Sequence, residues 1–207
     1  MKKTLSQNLW IKRKQKDNYF NLSKIEGYRS RAAYKLIEIN AKYSIFNKSH
    51  NVVDLGSSPG SWCQVLVGNL KTECKIIAID INNMQHLDRV LFLKEDIKNI
   101  IENKSISLPI NQIGLILSDM APKSTGHKFT DQARAETLSL LAFSFAKKHL
   151  IKKGNCIIKL LRGPGEKDLI NSAKSYFNKV ELFKPNSSRK ESKEIYLICL
   201  SFNNLHA

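Results

Sequence analysis

The segment Val53-Asp-Leu-Gly-Ser-Ser-Pro-Gly-Ser-Trp62 carries a short apolar run into a glycine turn that opens a helix. In open α/β sheets, a turn of this kind beyond the carboxyl end of the first strand is where a ligand sits. A pyrophosphate loop has the form G-x-G-x-x-G, so that bare backbone can approach the anion. Here the glycines fall at Gly56 and Gly60, and Pro59 between them has no N–H to offer a phosphate. The spacing suits a nucleoside-like ligand better than a dinucleotide. Asp80 ends the next apolar run, where a carboxylate accepts from both hydroxyls of a ribose. Asp96 follows the third run, within reach of an adenine amino group, and Asp119 ends the fourth. A single Asp at a strand end is more often a helix cap or a solvated side chain. Three in succession beside a glycine turn describe a pocket. An acid-lined pocket in a basic protein also favours a cationic ligand, such as a sulfonium nucleoside. Trp62 either packs against the far end of that ligand or fills space.

These side chains converge only if the runs that carry them lie side by side. Asn51–Leu55, Lys75–Asp80, Val90–Leu93, Ile113–Asp119 and Asn155–Leu161 read as buried strands. Helices are expected over Arg31–Ala41 with Ser30 as cap, Gly60–Leu70, Asp131–Leu150 and Glu166–Phe177. The first has Ala33, Leu36, Ile37 and Ala41 at helical spacing, and Lys152-Lys153-Gly154 is expected to close the third. Near-continuous apolar strands alternating with helices mean a mostly parallel sheet covered on both faces. The last two strands, Lys179–Phe183 and Glu194–Phe202, are joined by a loop too short for a crossover, so the sheet ends in an antiparallel hairpin. That makes seven strands. Residues 1–28 read as a basic N-terminal arm with a short helix near Ser6–Asn18, and 29–207 as a single domain.

Lys plus Arg is 34 and Asp plus Glu is 18, a net charge of +16. Residues 1–42 hold 11 basic and 3 acidic side chains, residues 43–118 hold 7 of each, and residues 119–207 hold 16 and 8. A neutral middle between basic flanks attracts a polyanion, most often nucleic acid. A membrane surface would prefer a clean amphipathic stripe, which Leu5–Phe20 lacks. No apolar run approaches the roughly 18 residues of a membrane span. Cys63, Cys74, Cys156 and Cys199 are scattered without a C-x-x-C pair, so neither a disulfide framework nor a metal site is expected.

Five blocks carry a resemblance. They are Tyr28-Arg-Ser-Arg-Ala-Ala-Tyr-Lys-Leu36, Asp54-Leu-Gly-Ser-Ser-Pro-Gly-Ser-Trp62, Ser118-Asp-Met-Ala-Pro122, Ile158-Lys-Leu160 and Ser187-Ser-Arg-Lys-Glu-Ser-Lys-Glu-Ile-Tyr196. In order and content they resemble the FtsJ/RrmJ family of ribosomal RNA 2′-O-methyltransferases. The resemblance implies a Rossmann-like class I methyltransferase fold that uses S-adenosylmethionine. It implies a catalytic set at Lys35, Asp119, Lys159 and Glu194. It also implies cofactor contacts at Gly60, Trp62, Asp80, Asp96 and Asp119. Ser61 stands where many relatives have a second glycine, and the loop 123–130 differs from better-known members. The implied substrate is a uridine in the A-loop of large-subunit ribosomal RNA, presented on the assembled subunit. A cytoplasmic monomer with no stable protein partner is expected.

RNA contacts are expected from the arm and the basic flanks: Lys12, Arg13, Lys14 and Lys16, Arg29 and Arg31, and Arg189, Lys190 and Lys193. Two other readings compete, a methyltransferase of a non-RNA substrate and a non-enzymatic RNA-binding protein on the same fold. The flanking charge speaks against the first, and the presence of all four candidate catalytic residues against the second.

Overall fold

The computed structural model describes residues 17–46, 51–102 and 108–203. Seven strands form one sheet: β1 (Asn51–Leu55), β2 (Ile76–Asp80), β3 (Val90–Lys94), β4 (Ile113–Ser118), β5 (Leu150–Leu161), β6 (Phe177–Phe183) and β7 (Glu194–Phe202). Their order is β3-β2-β1-β4-β5-β7-β6. The first five pair in parallel, while β7 runs antiparallel to both β5 and β6. The helices are α1 (Asn18–Ile25), α2 (Ala32–Tyr43), α3 (Ser61–Asn69), α4 (Ile97–Glu102), α5 (Lys128–His149) and α6 (Glu166–Lys174).

Side chains alternate across a strand, so a strand buried on both faces needs apolar residues at both parities. In β1, Val53 and Leu55 join Ile79, Ile158 and the α5 residues Ala142, Phe145 and Ala146 in one core. Val52 lies with Leu115, Ile157 and the α2 and α3 residues Leu36, Ile39 and Leu66 in the other. The four cysteines are buried free thiols. No helix is long and apolar enough to cross a membrane among the described residues.

Several expected boundaries move, each for a local reason. Helix α5 stops at His149, and β5 begins at once with Leu150 in extended conformation. Gly154 is therefore a strand residue, not a helix terminus. A Cβ there would lie 2.9 Å from the Ile151 carbonyl oxygen and 3.2 Å from that of Gly114, opposite a register shift between Ile113 and Leu115 in β4. Its role is close backbone approach. On α2 the buried face is Ala33, Leu36 and Ile39, whereas Ala41 is exposed. Ser30 meets its expected place only partly: its hydroxyl accepts from the Ala32 N–H at 3.2 Å and also pairs with the Ser61 hydroxyl at 2.8 Å. Helix α6 ends at Lys174, which frees Phe177 to start β6. The six residues of α4 are too few to show a period in sequence.

Of the expected arm, most of the Ser6–Asn18 helix lies outside the described residues. The helix that is described begins where that segment ends. Asp17 caps α1 by accepting from the Phe20 N–H at 3.1 Å, and the Tyr19 ring sits 5.4 Å from that of Tyr34 on α2.

Candidate active site

The carboxyl ends of β1, β2 and β4 border a cleft of about 470 Å³ lined by Gly56, Asp80, Asp96, Asp119 and Met120, among others. A second recess of about 110 Å³ shares Gly56, Ser58 and Asp119 with it and adds Asp54, Ser61 and Trp62. The turn between β1 and α3 is what shapes both. Gly56 has φ 75° and Gly60 φ 104°. A Cβ at Gly56 would lie 2.5 Å from Met120 Cγ, and one at Gly60 would lie 2.4 Å from an Arg29 guanidinium nitrogen. Both positions combine a left-handed backbone with close approach, which only glycine accepts without strain. Ser61, where a second glycine is common, is the buried first residue of α3 and keeps ordinary helical backbone.

Two of the three acids, Asp80 and Asp96, each do two jobs. Asp80 accepts from the Ser58 N–H at 2.9 Å and from Asn82 at 2.7 and 3.0 Å, so it clamps the glycine turn while facing the cleft. A carboxylate has about four lone-pair sites, which leaves room for a ligand hydroxyl. Asp96 accepts from the Lys98 N–H at 2.9 Å, capping α4, and also lines the cleft. Trp62 is buried between α2 and β7; its indole N–H donates to the Ala32 carbonyl at 2.8 Å and its ring lies 5.9 Å from that of Tyr196. The residue fills space and lines the smaller recess as well.

At the mouth of the cleft, Lys35, Asp119, Lys159 and Glu194 meet. Lys159 Nζ is 3.0 Å from Asp119 and 3.2 Å from Glu194. Lys35 Nζ is 2.7 Å from Glu194 and 3.8 Å from Asp119. Two lysines and two carboxylates thus alternate in a ring, each largely shielded from solvent. They come from α2, the end of β4, the carboxyl-terminal part of β5 and the start of β7, and the antiparallel β5–β7 pairing sets the last two side by side. Burial works against Lys159 keeping its proton, yet Asp119 and Glu194 outweigh it and hold its pKa above the ordinary lysine value. Burial likewise works to raise Asp119, and Lys159 and Lys35 overcome it, so that carboxyl stays below its usual range. Glu194 is lowered in the same way, with Lys35 as its main partner.

Two residues of the site escaped the sequence reading as functional groups. Tyr196 donates its hydroxyl to Asp119 at 2.6 Å, with its ring fully buried. Asp54, 1% exposed, accepts from the Cys63 thiol at 3.2 Å, while its other oxygen has no partner among the described residues. Burial pushes its pKa up to about 7. The one available signal was an acid inside the apolar run Val52-Val-Asp-Leu55.

Among the expected RNA contacts, Lys12, Arg13, Lys14 and Lys16 lie outside the described residues. Arg29 lies across the surface of the glycine turn and donates to the carbonyls of Pro59 and Gln85 at 3.0 Å and of His86 at 2.8 Å. Arg31 pairs with Asp17 and donates to the Ser187 carbonyl, and Arg189 also faces Asp17 at 3.6 Å. Arg31 and Arg189 line a recess of about 220 Å³ that leads to Lys35 and Glu194. Lys190 and Lys193 are exposed beside it.

Residues 28–202 match the family described as FtsJ-like methyltransferase. The chain belongs to that family. It is 43% identical to the ribosomal RNA large subunit methyltransferase E of Anaplasma phagocytophilum, over 96% of this chain and 82% of that protein. It is 36% identical to the protein of the same name from Pelagibacter ubique, over 96% and 98%. A crystal structure described as a ribosomal RNA methyltransferase of Plasmodium falciparum superposes with a TM-score of 0.72 at 34% identity, over 84% of this chain and 98% of that one. Human methyltransferase-like protein 13, solved with S-adenosylhomocysteine, shares the fold with a TM-score of 0.51 at 16% identity, over 82% and 79%.

The cofactor of this FtsJ-like methyltransferase is S-adenosylmethionine, and its residues fit one. Asp80 and Asp96 would hold the nucleoside. The unpartnered Asp54 oxygen at the smaller recess would accept a hydrogen bond from the ammonium of the cofactor's amino-acid end.

Proposed function

We propose that this enzyme methylates a ribose 2′-hydroxyl of 23S ribosomal RNA, on a uridine of the A-loop in the assembled large subunit. The observation that carries the reading is the Lys35–Asp119–Lys159–Glu194 ring, set between the cofactor cleft and a recess rimmed by basic residues. The names of the relatives point the same way. The protein acts as a cytoplasmic monomer, with ribosomal RNA as its partner.

S-adenosylmethionine supplies, when bound, a methyl group on a thioether leaving group. The chain has to orient the hydroxyl oxygen and remove its proton. Lys159 Nζ is the group that touches the hydroxyl and takes the proton in its neutral form. Asp119 orients both, held in turn by the Tyr196 hydroxyl. Lys35 and Glu194 fix the spacing and balance the charge. Ser188 donates to Glu194 at 2.8 Å and so keeps that carboxylate turned toward the lysines. Alignment of this kind is worth about 7–11 kcal/mol in favourable intramolecular reactions.

Incubation with large ribosomal subunits and methyl-labelled S-adenosylmethionine is expected to place the label on one ribose. Label on a base or on protein, or equal labelling of free uridine, would overturn the reading. Binding should also weaken with salt. Roughly five phosphate contacts would give a log–log slope near −3.5 on single-stranded RNA. Neutralising Arg189 or Lys190 should each reduce the slope by about 0.7, and a flat salt response would remove the electrostatic argument.

A further inference from the structure

Among the described residues, the most exposed large apolar side chain is Phe129, 89% accessible on the first turn of α5. It has no ring partner there, and nothing in the core needs it. The backbone that presents it is nonetheless held firmly. Asp131 accepts from the Ser124 hydroxyl at 2.9 Å, the Thr125 N–H at 2.8 Å and the Thr125 hydroxyl at 2.7 Å. These bonds keep its pKa at about 2. The Gln132 amide donates to the carbonyls of Leu161 at 2.9 Å and Arg162 at 3.1 Å, tying the helix start to the end of β5.

That tie places Phe129 at the same end of the sheet as the catalytic ring, where β5 terminates. Leu161 pairs in register with Glu194 and follows Lys159 by two residues. The path from Phe129 to Lys159 is one helical turn of about 5 Å, one glutamine side chain, and two strand residues of about 7 Å. The span is that of one or a few nucleotides. Lys123 and His127 on the preceding loop, Lys128 and Arg134 on the first turns of α5, and Arg162 just after β5 are all exposed. Of the nearby acids, Asp131 is occupied by its own loop, and Glu136 and Glu166 are half-buried together beside Gly165. An exposed aromatic among cations at the mouth of the site matches the chemistry of single-stranded RNA, whose bases stack on aromatic faces while cations take the phosphates.

We propose that Phe129 is a stacking platform for a nucleobase flanking the methylated ribose. The proposal rests on the RNA reading above and deepens it by naming a positioning residue. Stacking of this kind tolerates any base, so Phe129 would secure the strand and leave the choice of nucleotide to other contacts.

The test uses the full-length chain with Phe129→Ala, Phe129→Tyr and Phe129→Leu. Alanine is expected to raise KM for large ribosomal subunits about fivefold or more, the lower bound for losing one base–aromatic stack. The kcat at saturation and the thermal unfolding midpoint should not change. Tyrosine should restore KM and leucine should not. In Phe129→Trp, fluorescence from the new indole should be quenched on titration with protein-free large-subunit RNA at low salt. An unaltered KM in the alanine variant would overturn the proposal. So would rescue by leucine, which signals an apolar seat, or an indole unmoved by protein-free RNA, which signals a protein partner. Failure of the unsubstituted enzyme to label ribose would instead sink the underlying RNA reading.

Discussion

Replacing Lys159 by alanine is expected to lower kcat on large ribosomal subunits by about 10²–10⁴-fold, the usual contribution of a placed general base. Cofactor affinity should be unaffected, because Lys159 lines neither the 470 Å³ cleft nor the smaller recess. The fold should survive the change. Lys35 still contacts both carboxylates, at 2.7 and 3.8 Å, so neither is left wholly unpaired. Thermal unfolding and binding of labelled S-adenosylmethionine separate the chemical effect from a structural one. Lys159→Arg sharpens the reading. Arginine keeps the positive charge between Asp119 and Glu194 but cannot give up its proton near neutral pH. It should therefore be nearly as slow as alanine. Near-normal turnover in either variant would refute the role assigned to Lys159.

The reason this ring was legible from sequence lies in how its members are distributed. Lys159 sits inside the apolar run Cys156-Ile-Ile-Lys-Leu-Leu161, and Glu194 opens another. A charged residue in a buried strand needs a partner, and the family resemblance supplied three. The inner strands β1, β2 and β4 were legible because each is buried on both faces and so almost uniformly apolar, whereas the edge strands β3 and β6 are partly exposed. What sequence could not give were features set by a neighbour. Gly154 looks like a helix terminus until the shifted register opposite Ile113 and Leu115 shows why a side chain cannot fit. Arg29 looks like a phosphate contact until its guanidinium is seen closing on three carbonyls around the glycine turn. Asp54 and Tyr196 lie within quoted motifs, yet their importance comes from what faces them. One carboxylate oxygen has no described partner, and one hydroxyl reaches across to the end of β4. Asp80 and Asp96 show that the ordinary and functional readings of an acid are compatible, since each caps or clamps with one set of lone pairs and offers another to the cleft.

Between pH 7 and pH 9 the single-turnover rate on large ribosomal subunits should climb about tenfold per unit, with no plateau. The sign follows from the state of Lys159. Its two carboxylate neighbours hold its pKa above the ordinary lysine value, so in the free enzyme it is an ammonium throughout that range. Only the neutral amine can accept the hydroxyl proton, and below the pKa its fraction grows tenfold for each unit of pH. Asp119 and Glu194 do not interfere, because both are held below their ordinary values and stay ionised across the window. Single turnover is the right measurement, since product release can mask a chemical step. The Lys159→Arg variant provides the control: its residual rate should lose this dependence. A flat profile in the unsubstituted enzyme would mean that Lys159 works as an ammonium, orienting the hydroxyl and meeting its developing negative charge. The geometry of the ring would then stand, while the proton would have to leave by way of solvent.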